Sequence, residues 1–391
     1  MVQFPDYIGP MAFGIKMGVI LPGTDLEEDV YRSLKQCNKD GLLGDGDVLC
    51  VTESIVARSQ ENYVTVDDIA KEVREKLELK PADKVAVVFP IASRNRFSMQ
   101  LKGIARAVPQ GEVLVQLSYP FDEVGNQVME PEQCEDSPND RVLWENDLQG
   151  VDLKHPVTRV NYLSLYREII EETGARATIF FCNQWSKSVE YSPKGLIAAD
   201  IHTREKTRRK IREGNRNCIT LQDLCSDNTR EAWSEWGLLG SNMAAGDKIK
   251  LAPRQGEEFV KNIQARVGER LGINLEVLIY GDGAYKDPST GIYELADPKP
   301  VFAATDGLGR YREGVKYKYL ADEYYNGGKS PEEIENLLEE KKKTAIQQDS
   351  MEAEGTTPRM MGDILASLAD LISGSADEGT PLVLAKGYLK K

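Results

Sequence analysis

The chain has 391 residues and carries 63 acidic against 49 basic side chains, for a formal charge of −14 at pH 7. The acids are scattered and no basic stripe interrupts them, which excludes a nucleic-acid footprint, and no run approaches the roughly 18 apolar residues of a membrane span. The opening MVQFPDYIGPMAFGIKMGVI lacks the basic start and unbroken apolar core of a leader, so a cytoplasmic protein is expected, and the length predicts two or three domains.

FGIKMGVILPG reads as a strand and turn that deliver the chain to Thr24, which with Glu27 forms a capping-box pattern for a helix with Leu26, Val30, Leu34 and Cys37 on one face. GDVLCVTESIVARS is a second strand ending in hydroxyls at Thr52 and Ser54, with Arg58 shortly beyond. A helix near Val64 to Leu77 and the apolar strand KVAVVFP follow. Apolar runs of strand length thus alternate with amphipathic helical patterns, which argues an α/β protein.

The texture then changes. YPFDEVGNQVMEPEQCEDSPNDRVLWENDLQG is long, polar and rich in turn formers, as functional or disordered loops are. Strand and helix alternation resumes after it, so Phe89 to about Gly240 reads as a separate α/β unit. In the last third, DKIKLAP is a strand, GEEFVKNIQARVGERLG a helix with Phe259, Ile263, Val267 and Leu271 inward, and LEVLIY a short buried strand. Ser330 and Pro331 make an N-cap and first-turn pair for a charged surface helix. The tail gives a helix with Ile364, Leu365, Leu368 and Ile372 on one face, a small-residue loop and a final strand.

The six cysteines, Cys37, Cys50, Cys134, Cys182, Cys218 and Cys225, have neither C-x-x-C spacing nor the density of a disulfide scaffold, and read as reduced thiols. The two histidines, His155 and His202, are too few for a His-based zinc site, so any metal should be oxygen-bound.

LEVLIY ends in GDG, which places Asp282 at the carboxyl end of a strand, where side chains of an α/β sheet point into the ligand crevice. Gly281 and Gly283 strip bulk from both sides, permitting positive φ and close approach by a phosphate or a hydrated cation, so Asp282 is a candidate Mg²⁺ or Mn²⁺ ligand. Taken alone, GDG is more often a simple turn. Three further stretches carry a chemical and an ordinary reading side by side. SGSADEG from Ser373 is either a helix end whose backbone groups are free for a nucleotide or metal or an ordinary glycine-containing helix C-cap; EGTTPR, with Arg359, is either an anion contact or a helix cap. In SRNRF, Arg94 and Arg96 follow a strand, suited to a carboxylate or phosphate, or else simply begin a solvated helix.

The order of these signals resembles the coenzyme F(420)-0:L-glutamate ligase (gamma-glutamyl ligase) family, over about the first 75 residues and again from Ser241 onward. VILPGTDLEEDV followed by LGDGDVLCVTESIVARSQ resembles the family's opening strand, turn, helix and second strand, SNMAAGDKIKLAP the segment with its nucleotide-contacting asparagine, VLIYGDGAYKD its metal-binding strand end, and DLISGSADEG its nucleotide loop. The resemblance implies a mixed-sheet core built from residues 1–88 and 241–391; the α/β unit at 89–240 lies outside it as an insertion, and its size, its arginines and its long polar loop point to acceptor recognition. It implies nucleotide contacts at Ile20, Leu21, Glu53, Ser54, Arg58, Asn242, Ser373, Gly374 and Asp377, and catalysis by Asp282 and Arg58 with Mg²⁺ or Mn²⁺ and GTP or ATP. Arg94, Arg96 and Arg359 are then expected at the substrates. It also implies a homodimer whose partners are L-glutamate and a small-molecule acceptor, while composition and hydropathy speak for no nucleic acid and no membrane. The activity expected is a ligase that joins the glutamate amine to an acceptor carboxylate through an acyl phosphate.

This chain also departs from the family pattern. A basic residue before the Pro-Gly turn is replaced by Leu21, a metal-binding aspartate by Leu239 and a metal-binding hydroxyl by Gly283, leaving Asp287, Glu294 or Asp297 to complete a rearranged site. A phosphotransferase or nucleotide hydrolase using the same phosphate site, or a nucleotide-binding regulator without catalysis, stays open beside the ligase.

Overall fold

The computed structural model describes the chain except residues 1–4, 6, 131, 133–139, 149–150, 156, 215, 283–284, 287–292, 295, 312–313, 345–346, 348, 354–358, 374–378 and 390–391, and the side chains of 285, 286, 293 and 294. It opens with β1 (Met11–Ile15), α1 (Leu26–Lys39), β2 (Val48–Thr52), α2 (Glu53–Ser59), β3 (Tyr63–Thr65) and α3 (Val66–Leu77). An alternating run follows: β4 (Lys84–Val88), α4 (Phe97–Arg106), β5 (Glu112–Leu117), β6 (Leu143–Trp144), α5 (Tyr162–Glu171), β7 (Arg176–Phe181), α6 (Lys187–Glu190), β8 (Gly195–Ala198), α7 (Arg204–Glu213) and β9 (Cys218–Thr220). The chain continues through β10 (Asn242–Met243), β11 (Lys248–Lys250), α8 (Gly256–Leu271), β12 (Glu276–Tyr280), β13 (Tyr285–Lys286), β14 (Tyr293–Glu294) and β15 (Val301–Ala304). It closes with α9 (Tyr317–Asn326), α10 (Pro331–Lys342), α11 (Met361–Ser373) and β16 (Leu382–Lys386).

Two sheets organise the molecule, as an α/β chain requires. The first is mixed, in the order β1-β16-β2-β12-β15, with β2 and β12 parallel and the other neighbours antiparallel. Successive strand residues face opposite sides. Leu49, Val51, Val277, Ile279, Leu382 and Leu384 therefore meet α1 and α8, whose Val30, Leu34, Val260, Ile263 and Val267 share their apolar cluster. The alternate residues Val48, Cys50, Leu278, Tyr280, Val383 and Ala385 meet Leu365, Ala366 and Ala369 of α11. Ile364 and Leu368, expected on that inner face, are only half-buried, because the close approach of α11 to the sheet is made through its alanines.

The second sheet has the order β6-β7-β5-β4-β8-β9, parallel except for the edge strand β6. Its first strand, β4, lies centrally; the chain runs outward on one side and then returns to fill the other, the doubly wound pattern whose strand ends form a crevice. Val85, Val87, Val113, Val115 and Ile197 pack with α3, α4 and α5. This sheet begins at Lys84, ahead of Phe89, and α3 joins its core. A small sheet, β10-β11-β3, contributes Val64 and Ile249 to the same cluster.

Local signals mostly act where the sequence puts them. Ser330 accepts from the Glu333 N–H in a full capping box with Pro331 in the first turn. At α1 the cap is one residue later than expected: Asp25 accepts from the Glu28 N–H, while the Thr24 hydroxyl turns back to the Leu21 carbonyl at 2.8 Å. Cys37, Cys50, Cys182, Cys218 and Cys225 are buried and free of disulfides; Cys134 lies outside the described residues. His155 is buried, its Nδ1 accepting from the Val157 and Thr158 N–H groups, which is a structural role. No helix is long and apolar enough to cross a membrane among the described residues.

Asp200 follows β8, buried, with Oδ2 accepting from the Thr203 and Thr207 hydroxyls at 2.6 and 2.9 Å. Burial, opposed by those bonds and reinforced by the charge of Glu123, raises its pKa to about 6. A carboxyl that holds its proton more tightly folded than unfolded loses stability as pH rises through that interval. Asp200→Asn should therefore raise the melting temperature relative to the wild type at pH 7.5, with the gain shrinking as the pH falls from 6 towards 4. A difference between the two proteins that does not change with pH would refute this account of Asp200.

Candidate active site

The parallel pairing of β2 with β12 sets Thr52 opposite Tyr280, so the two strands end side by side. Beyond that edge stand Glu53, the first residue of α2, and Asp282. Glu53 is buried and accepts from Lys250 Nζ at 2.8 Å; the same ammonium donates to Ser54 Oγ at 3.0 Å. Lys250 arrives on β11, which pairs with β3 and holds it opposite Tyr63. Burial raises the Glu53 carboxyl above its ordinary pKa, with Lys250 pulling it back and Asp297 adding to the rise.

Asp282 is met by Arg96, from the loop between β4 and α4. The guanidinium pairs with Asp282 Oδ2 through Nη2, and with Asp297 Oδ1 through Nη1 at 2.7 Å. The Asp282 N–H donates to Asp297 Oδ2 at 2.7 Å, closing a ring through three residues. Burial works to lower the pKa of Arg96, but the charges of Asp297, Asp282 and Glu53 outweigh it and hold the group above the ordinary arginine value. Burial, then the charge of Asp297, raises Asp282 against the pull of Arg96.

Gly281 works differently from the expectation that it clears space for a ligand. It has no positive φ, and a Cβ there would collide with the Asp297 carboxylate and the Phe302 ring. The missing side chain is what lets Asp297 close on the Asp282 N–H. Gly283 lies outside the described residues.

Two cavities open beside this cluster. The larger, about 1030 Å³, is lined by Ser54, Arg58, Asn242, Lys248 and Lys250; Glu61, Asp68 and Glu72 also line it. The smaller, about 430 Å³, is lined by Ser93, Arg94, Arg96, Asn242, Tyr162 and Asp282. Asn242 belongs to both walls. Arg58 and Arg94 are exposed to a ligand, and so is Ser54, whose hydroxyl already accepts from Lys250.

Other expected site residues stand apart from these walls. Ile20 is buried in the cluster under α1 and α8, and Leu21 is exposed beside Pro22, which lines the larger cavity. Ser373 is buried, its hydroxyl bonded to the Tyr280 hydroxyl and donating to the Ala369 carbonyl at 3.0 Å. Arg359 is exposed and lines neither cavity. Gly374 and Asp377, with residues 354–358, lie outside the described residues.

The described residues do not fit a divalent metal as they stand. No three His, Cys, Asp or Glu side chains among them could hold one. Leu239, where the family carries an aspartate, is packed in the apolar core, and Asp282 and Asp297 already hold a guanidinium between them. Asp287 and the Glu294 side chain lie outside the described residues.

Lys248 and Lys250 carry a local signal, since their two-residue spacing in DKIKLAP places both on one face of the strand. The partner of Lys250, Glu53, lies 197 positions away, beyond the reach of any local pattern.

Two solved structures of Escherichia coli diaminopropionate ammonia lyase, the apo form and the complex with D-serine, are each 11% identical to the chain. The first match covers 57% of this chain and 52% of that one with a TM-score of 0.18; the second covers 59% and 50% with a TM-score of 0.17. The chain thus spans about half the length of these proteins, and overlap this slight carries no argument. No curated protein matches it. The profile of the F420-0:gamma-glutamyl ligase family, by contrast, runs through both sheets and both cavities, matching residues 14–387, and the chain belongs to that family.

Proposed function

We propose that the protein is a nucleoside-triphosphate-dependent ligase that joins the amine of L-glutamate to a carboxylate on a small-molecule acceptor. The observation that carries this reading is the shared wall at Asn242: residues expected at the nucleotide line one cavity, residues expected at the substrates line the other, and Asn242 lines both. A phosphoryl group passing from nucleotide to acceptor needs its donor and receiver to meet at such a wall, since phosphoryl transfer depends on positioning and charge stabilisation.

In this reading Arg58, Lys248 and Lys250 face the phosphates of GTP or ATP, and Arg94 orients an acceptor or glutamate carboxylate. The acceptor carboxylate oxygen attacks the γ-phosphorus and the nucleoside diphosphate leaves, giving an acyl phosphate. The glutamate nitrogen then attacks the acyl carbon, loses a proton and expels phosphate as the amide forms. A homodimer belongs to the same proposal, and light scattering of the active protein reads it directly.

Saturating ATP or GTP should raise the melting temperature, because a ligand that binds only the folded chain stabilises it by about 2.7 kcal/mol at 100 times its Kd. Unchanged melting with both nucleotides, with and without Mg²⁺, counts decisively against the reading. Phosphate release that needs no glutamate would instead favour a hydrolase.

Arg58 is exposed, so its removal should leave the fold intact while taking a charged donor from the phosphates. Arg58→Ala should weaken nucleotide binding by about 10- to 100-fold, the worth of a charge-assisted hydrogen bond, with melting of the free protein unchanged. Nucleotide affinity equal to the wild type, measured by calorimetry, would remove Arg58 from the site.

A further inference from the structure

Asp282 and Asp297 converge at the end of β12, and the space between them is filled by the chain itself. The Arg96 side chain is only 12% exposed there, and that of Asp297 is fully buried. Arg96 is also fixed from its own side. Its N–H donates to Ser93 Oγ at 3.1 Å, and it leads directly into α4, whose first residue, Phe97, is buried against Tyr166. A hard divalent cation needs about six oxygen ligands. To use these two carboxylates it would have to expel the guanidinium and leave it buried without a partner, which is strongly unfavourable.

We propose that Arg96 is the resident cation of this site, standing between Asp282 and Asp297 in the position that the family resemblance assigns to a divalent metal ion. Asp282 is then a positioning residue: with Asp297 it holds the guanidinium at the wall of the smaller cavity. The inference rests on the ion-pair geometry and stands apart from the nucleotide reading.

The test is Mn²⁺ binding to the full chain without nucleotide, followed by the electron paramagnetic resonance of the free ion. The wild type should show no saturable Mn²⁺ site that depends on Asp282. Arg96→Met, which keeps the apolar stem and removes the charge, should expose the two carboxylates and gain such a site, tighter than the wild type by about tenfold or more. Adding Asp282→Asn to Arg96→Met should abolish it, and Arg96→Lys, which keeps a cation, should not gain it. A purely structural arginine would change melting without creating a metal site. A wild-type Mn²⁺ site that Asp282→Asn removes overturns the proposal, as does a folded Arg96→Met protein that gains none. Should Arg96→Met fail to fold, wild type against Asp282→Asn decides the matter alone. Nucleotide binding is measured on the same samples; its absence beside the expected Mn²⁺ results strikes the ligase reading and leaves this one standing.

Discussion

The ion pairs of Arg96 join two parts of the chain that have separate sheets. Arg96 comes from the loop after β4, the central strand of the parallel sheet, while Asp282 follows β12 of the mixed sheet. Each position lies at the carboxyl end of a strand, the edge where α/β sheets gather ligands. The pairing therefore brings two such edges face to face, and the smaller cavity is what lies between them: Ser93, Arg94 and Arg96 come from one side and Asp282 from the other. A second tie repeats the design nearby. Lys250, on the small β10-β11-β3 sheet, reaches Glu53 at the end of β2 and so fixes a wall of the larger cavity.

Both ties are ion pairs whose cations are largely buried, though the Asp282 carboxylate is partly exposed, and such pairs orient groups better than they stabilise folds. Stability comes from the apolar layers: the two faces of the mixed sheet against α1 and α8 and against α11, and the parallel sheet against α3, α4 and α5. The charges are then carried on a rigid frame, as precise placement of a site requires. Acids crowded in low dielectric explain the direction of their shifts. Glu53 and Asp282 both sit above their ordinary values because burial and like charge act together, and one cation facing each of them does not cancel both.

What the sequence discloses here is what depends on local period. VLCVT and LEVLIY read as buried strands because side chains alternate between two apolar layers, and GEEFVKNIQARVGERLG reads as a helix because Phe259, Ile263 and Val267 recur on one face. Ser330 with Glu333 is legible because a capping box is complete within four residues. The Thr24 cap misled because Asp25, one position on, offers an equally good acceptor, and only the turn at Leu21 decides between them. Within the site, Asp282 stood out through its flanking glycines and Arg96 through its place after a strand, yet nothing local says that they meet, 186 positions apart. Asp297 entered only through its nearness to Asp282 in sequence, and Lys250 did not enter at all.

The glycine before Asp282 shows how a correct signal can carry a different cause. A residue without a side chain at a strand end does mark a close approach, but the approaching group is the carboxylate of Asp297, fifteen positions later. The acid beside it does seek a positive charge, as an oxygen ligand at a strand end would, but the charge is supplied by the chain. Sequence can state the valence of a position, here an anion needing a cation across a bare backbone. Which group satisfies that valence is decided by the fold, and in this molecule the fold brings an arginine from a different sheet.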